Sequence, residues 1–247
     1  RDVAHMRAHL SKNIQVKLLK NRALLALQGP EAENVLAEHN PAVCDMVFMD
    51  VETLPIAGAE CWVSRSGYTG EDGFEISVPE AAVHSLANSL LEHRDVELIG
   101  LGARDSLRLE AGLCLYGRDI DEETSPIEAG LTWAMQSRRR AEGGFPGATR
   151  IQKEIFSGPT KQRVGIIPKG RAPVREGCKI YASATAENPI GAITSGGFGP
   201  TVNTPVSMGY VETAFAAKDT VLFAEVRGKR LPVRVVKLPF TRPGFKR

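Results

Sequence analysis

Arg65-Ser66-Gly67-Tyr68-Thr69-Gly70-Glu71-Asp72-Gly73-Phe74-Glu75-Ile76 decides how this chain is to be read. Three glycines permit positive φ and close approach of a ligand to the backbone. Cys61-Trp62-Val63-Ser64 before them reads as a strand. Phe74-Glu75-Ile76-Ser77-Val78 after them alternates apolar with polar, the period of a half-buried strand. The stretch is therefore a turn in a hairpin-like unit. In a plain hairpin Glu75 faces solvent, opposite Phe74 and Ile76. If that face is covered, Glu75 is a carboxylate at the floor of a cleft. A carboxylate there suits a flat heterocycle with adjacent N–H donors, because its two oxygens accept both.

Outward from the hairpin, Ile14–Leu19 and Ala23–Leu27 read as strands. Gln28-Gly29-Pro30-Glu31 opens a helix with Pro30 in its first turn. Val47-Phe48-Met49 reads as a short buried strand. Pro79-Glu80 starts a helix through His93, with Val83, Leu86, Leu90 and Leu91 at helical spacing. Gly100 to Gly112 is a helix with a glycine-rich entry, on which Arg104 and Arg108 share a face. Arg108 fits a structural ion pair; Arg104, beside the glycines, is the better ligand candidate. Asp121-Glu122-Glu123 reads as a solvated turn, and Ala148–Phe156 as a helix.

Composition shifts near Ser157-Gly158-Pro159. Beyond it six short strands alternate with Gly and Pro turns: Arg163–Ile167, Cys178–Ala182, Gly191–Ser195, Val206–Val211, Val221–Val226 and Leu231–Leu238. The fold class is α+β: antiparallel-sheet domain structure over residues 1–157, then a small all-β barrel over residues 158–247. Thr194-Ser195-Gly196-Gly197-Phe198-Gly199-Pro200 lacks the lysine and following helix of a phosphate loop.

The formal charge of +2 over 247 residues does not point to nucleic acid. No apolar run has membrane-spanning length, so no membrane partner is expected. The four cysteines form no metal or disulfide spacing and read as reduced core thiols; no metal is expected. The chain starts Arg1-Asp2-Val3 inside a helix, without an initiator methionine or a transit pattern, and is expected to be a processed or truncated piece.

Several long motifs occur in order. They are Ala23 to Pro30, Gly67 to Glu75, Ala103 to Gly117, Pro126 to Trp133, the Arg138-Arg139-Arg140 cluster, and Thr194-Ser195-Gly196-Gly197. Together they resemble the glycine cleavage system T proteins, the tetrahydrofolate-dependent aminomethyltransferases, in their mitochondrial branch.

The resemblance implies a folate-binding fold and transfer of a methylene group from an aminomethyl-dihydrolipoyl H protein to tetrahydrofolate, with release of ammonia. It implies that Glu75 holds the pterin edge, that Tyr68 lies nearby, and that Arg104 pairs with the folate tail. Glu71, Trp133 and Phe245 are further ligand-site candidates, and Arg138, Arg139 and Arg140 are candidates for contact with the lipoylated H protein. Phe245 stands where the family has a tyrosine, which removes one hydrogen bond worth about 0.5–1.5 kcal/mol. The family's catalytic aspartate lies in a segment this chain does not contain, so none of these residues is catalytic and the chain is expected to be inactive alone. A monomer of the mitochondrial matrix is expected. The competing class is a folate-binding module without transfer chemistry, of the kind found in demethylating enzymes; a third reading is a structural partner of an acidic carrier through the three arginines.

Overall fold

Alternation puts Phe74, Ile76 and Val78 on one face of a strand, and all three are fully buried. This strand, β4 (Gly73–Pro79), lies in an antiparallel sheet with β1 (Arg22–Gln28), β2 (Val51–Ile56) and β3 (Ala59–Ser64), in the order β1-β4-β3-β2. The structure is a computed structural model and describes all residues from Arg1 to Arg247. It divides into two units, the first comprising Arg1–Gly67, Asp72–Leu98 and Lys246–Arg247. The second comprises Tyr68–Glu71 and Ile99–Phe245.

The first unit opens with helix α1 (Asp2–His9), which buries no residue. Its core lies between the sheet and two helices, α2 (Ala32–Ala37) and α3 (Val83–Leu91). Val35 and Leu36 from α2, and Leu86 and Leu90 from α3, pack with Cys61, Val63 and Phe74. Spacing of i, i+3 and i+4 puts Val35 and Leu36 on one face with Ala32, and i, i+4 spacing does the same for Leu86 and Leu90; the sheet supplies the complementary apolar surface. On the other sheet face Leu24 and Trp62 remain exposed, and the Arg22 guanidinium stacks 4.0 Å from the Trp62 ring.

Four local expectations differ. Residues 14–19 form no strand: Ile14, Leu18 and Leu19 are exposed, and no strand in the unit pairs with them. Apolar content cannot substitute for the backbone partner a strand needs. Residues 47–49 are not a buried strand either. Met49 has φ 81°, the Asp50 carboxylate accepts the Val47 N–H at 2.8 Å, and the turn delays the strand to Val51. Pro30 precedes its helix, which starts at Ala32; a turn closes instead by an Ala32 N–H to Gly29 carbonyl bond of 3.0 Å. All four cysteines are free, but only Cys61 is buried in a core; Cys114 and Cys178 are half-buried and Cys44 is exposed.

The second unit contains α4 (Leu101–Glu110), α5 (Ser137–Glu142) and α6 (Ala148–Ser157). Gly112, at φ 68°, ends the turn after α4. Six strands follow: β5 (Lys161–Pro168), β6 (Lys179–Tyr181), β7 (Gly191–Gly199), β8 (Thr204–Glu212), β9 (Val221–Val226) and β10 (Lys229–Val236). They close as β10-β5-β8-β7-β6-β9, every neighbour antiparallel. Closure leaves no open sheet edge. Ile166, Ile180, Ile193, Leu222 and Val233 fill the interior. The glycine-rich Thr194–Gly199 run lies within β7, as ladder rather than loop. The architecture is thus α+β with an antiparallel sheet and a C-terminal all-β barrel.

Candidate functional site

Glu75 lies on the sheet face opposite Phe74 and Ile76, and it is half-buried. Cross-strand register sets it between Ala26 and Ser64. The Ser66 hydroxyl donates to Glu75 Oε2 at 2.7 Å and lies 2.7 Å from the Ser64 hydroxyl. A serine pair therefore holds one carboxylate oxygen from below the turn. Neither serine is among the site residues expected from the sequence, where Ser64 closes a strand and Ser66 belongs to the turn. A carboxylate oriented this way offers acceptors to a planar N–H donor edge.

The legs of the same turn are held by charge. Arg65 is almost completely buried and donates to the Val43 and Met46 carbonyls at 3.2 and 2.9 Å. Its guanidinium also forms a forked ion pair with Asp72 and lies 2.6 Å from Glu33. Burial pushes the Asp72 carboxyl up, but Arg65 and backbone N–H donors outweigh it and hold the group below its usual range.

In the second unit the Arg104 guanidinium lies over the Tyr68 ring, 4.8 Å from its centroid. The Tyr68 hydroxyl donates to the Cys114 carbonyl. Burial raises the Tyr68 phenol above its ordinary value, which keeps that donor protonated. Burial also raises the Cys114 thiol, so this cysteine carries little thiolate at neutral pH. Gly70, between Tyr68 and Glu71, has φ 81°, and a Cβ there would stand 2.6 Å from the Ala111 Cβ. Glycine is required on both counts. Tyr68 and Arg104 are thus brought together, with Arg104 free of any carboxylate ion pair.

Arg108, one turn further along α4, differs. It is buried and bonded to Asp119 at 2.6 Å, to Asp105 and to Ser195. This is the structural ion pair that its apolar helix face led us to expect. Glu71 is half-buried, with its N–H donating to Thr69 Oγ1 at 3.2 Å. Phe245 is half-buried and follows Gly244, whose N–H donates to the Gly70 carbonyl at 2.9 Å. Trp133 is 78% exposed on the short turn Thr132–Ala134. Arg138 and Arg139 on α5 are exposed, the former paired with Glu142 at 2.9 Å, while Arg140 is half-buried. No group of three His, Cys, Asp or Glu side chains is placed to hold a metal ion, and no helix is long and apolar enough to cross a membrane.

A family model for the GCVT N-terminal domain matches residues 1–139. The model for the glycine cleavage T-protein C-terminal barrel domain matches residues 161–241, the barrel just described. The chain belongs to the glycine cleavage T-protein family. It is 47% identical to the mitochondrial aminomethyltransferase of Solanum tuberosum, over 97% of this chain and 61% of the relative. It is 43% identical to the probable mitochondrial aminomethyltransferase of Schizosaccharomyces pombe, over 97% of this chain and 62% of that protein. The solved glycine cleavage system aminomethyltransferase T of Bartonella henselae superimposes with a TM-score of 0.85 and 44% identity, over 92% of this chain and 61% of that one. The chain spans between about three fifths and two thirds of the length of these T-protein relatives.

Proposed function

We propose that this chain carries the tetrahydrofolate-handling residues of an aminomethyltransferase of the glycine cleavage system. In that reaction the folate N5 attacks the aminomethyl carbon carried on the lipoyl sulfur of H protein. Ammonia departs, and methylenetetrahydrofolate and dihydrolipoyl H protein remain. The protein's contribution is largely positional, because holding both reactants in register replaces a bimolecular encounter.

In this reading Glu75 accepts the N–H donors of the pterin edge, Arg104 pairs with a carboxylate of the folate tail, and Tyr68 lies beside the ligand. The observation that carries it is the orientation of Glu75, whose Oε2 is pinned by Ser66 while the side chain stays accessible on the open sheet face. Arg104, stacked on Tyr68 and without an ion-pair partner, supports the tail assignment. Glu71, Trp133 and Phe245 are assigned to the surroundings of the ligand. Arg138, Arg139 and Arg140 are assigned to the lipoylated H protein, with Arg138 and Arg139 the better presented. The relatives are named mitochondrial, which supports a mitochondrial location; we further assign the protein to the matrix, as a monomer, with a functional boundary near Ser157-Gly158.

Calorimetric titration with tetrahydrofolate tests this. The parent chain is expected to bind and Glu75→Ala to lose binding. Binding that survives the substitution removes Glu75 from the site. Binding without turnover of aminomethylated H protein is expected of this chain alone; an attached flavin domain in the full-length protein would favour a folate-binding module instead. Charge reversal at Arg138 and Arg139 is expected to weaken H-protein binding and leave folate binding intact.

A further inference from the structure

Lys246 lies far in sequence from the Arg65–Gly73 turn, yet its ammonium and its carbonyl both reach that turn's supports. Its ammonium donates to Glu33 Oε2 at 2.7 Å and to the Cys44 carbonyl at 2.6 Å. Its carbonyl accepts the Phe48 N–H at 2.8 Å. All of these residues belong to the first unit.

The charges form a chain: Lys246 to Glu33, Glu33 to Arg65, Arg65 to Asp72. Arg65 stands on the leg that enters the turn and Asp72 on the leg that leaves it. The guanidinium is 1% exposed, so it cannot trade a lost partner for water. Glu33 must therefore stay ionised and in place, and Lys246 is the largest single influence holding its carboxyl below the ordinary range. Ser66, next to Arg65, is the residue that orients Glu75.

An isolated surface lysine pair contributes little to stability. This one is different because its anion is shared with a buried cation and its backbone carbonyl accepts the Phe48 N–H. We propose that Lys246 is a positioning residue: a clasp that holds Glu33 against Arg65, closes the two legs of the turn, and thereby fixes Ser66 and Glu75 for the ligand. The affinity part of this inference rests on the folate reading; the clasp itself does not.

The test uses the full chain with Lys246→Met, Lys246→Arg and Glu33→Gln. Amide hydrogen exchange is followed at Gly29, which donates to the Asp72 carbonyl, and at Met49, which donates to the Arg65 carbonyl. Tetrahydrofolate affinity is measured alongside. Lys246→Met is expected to speed exchange at both amides and weaken folate binding roughly tenfold, about 1.4 kcal/mol. Lys246→Arg should restore both, and Glu33→Gln should reproduce the loss without adding to it in the double variant. Equal exchange in parent and Lys246→Met overturns the clasp, as does additivity of the two substitutions. A parent that does not bind tetrahydrofolate overturns the folate reading, while the exchange data still judge the clasp. Should Lys246→Met fail to fold, the comparison of Glu33→Gln with parent decides by the same two amides.

Discussion

Arg108 and Asp119 meet at 2.6 Å with their side chains 1% and 0% exposed. Both carboxylate oxygens of Asp119 have further donors. Thr194 Oγ1 donates to Oδ1 at 2.5 Å, while Ser195 Oγ and the Leu115 N–H donate to Oδ2 at 2.8 and 2.9 Å. Even the Asp119 carbonyl accepts the Tyr210 hydroxyl at 2.7 Å. Helix α4 is thereby tied to barrel strands β7 and β8, and Arg104, one turn earlier, takes its direction from that anchor.

Breaking this pair leaves a buried charge without its counterion. Asp119→Leu and Arg108→Leu are each expected to cost about 3–5 kcal/mol. The double variant Arg108→Leu/Asp119→Leu should cost less than the sum of the two single changes, because it removes both charges. Denaturant midpoints of the four proteins check this; simple additivity would sink the account.

Two glycine-to-alanine changes should act in opposite directions. A Cβ on Gly196 would stand 2.0 Å from the Val174 carbonyl oxygen and 3.0 Å from Ser207 Oγ, so the backbone must move. Gly196→Ala should destabilise by about 1–3 kcal/mol or more. Gly102 lies in α4 with nothing within 4 Å of its would-be Cβ. Gly102→Ala should stabilise by about 0.5–1 kcal/mol through helix propensity alone. Thermal unfolding of both variants distinguishes crowding from conformational freedom.

Acid should loosen the first unit through Glu33 and Asp72. Lys246, with Arg65, holds Glu33 below its ordinary 4.5, and the Arg65 pairing outweighs burial to hold Asp72 below its ordinary 3.8. A depressed carboxyl contributes its stability in full above the unfolded value and loses it as pH falls through the folded one. Stability should therefore be flat near neutrality and decline below about pH 4.5. Trp62 fluorescence in a denaturant series at several pH values follows this. Glu33→Gln/Asp72→Asn should flatten the acid limb; an unchanged limb assigns it to other groups.

Tyr68→Phe removes the hydroxyl bonded to the Cys114 carbonyl and keeps the ring under Arg104. The expected cost is about 1 kcal/mol of stability, the net worth of one hydrogen bond. Tetrahydrofolate affinity should change less than in Tyr68→Ala, which also removes the stacking surface for Arg104. Equal affinity losses in the two variants would show that the hydroxyl, not the ring, meets the ligand.

Local pattern was enough for much of the fold. Alternation in Phe74–Val78 and helical spacing from Val83 to Leu91 and from Leu101 to Glu110 each name a face to bury, and each element formed. All six barrel strands stood where Gly and Pro turns bracketed apolar runs. The strand expected at 14–19 failed because an apolar run does not carry its own hydrogen-bond partner.

The sequence by itself determined the period of each element, the family, and the need of Arg108 for a carboxylate. It did not determine which carboxylate. Asp119 reaches both Thr194 and Ser195 because the β7–β8 register shifts between Ile193 and Ser195. In a regular strand neighbouring side chains point to opposite faces, and a bulge re-aims one of them. Lys246 is the same case at longer range, bonding to Glu33 across 213 residues. Periodicity is a property of neighbouring residues, whereas ion pairs such as these exist only once tertiary packing has brought distant segments within hydrogen-bond reach.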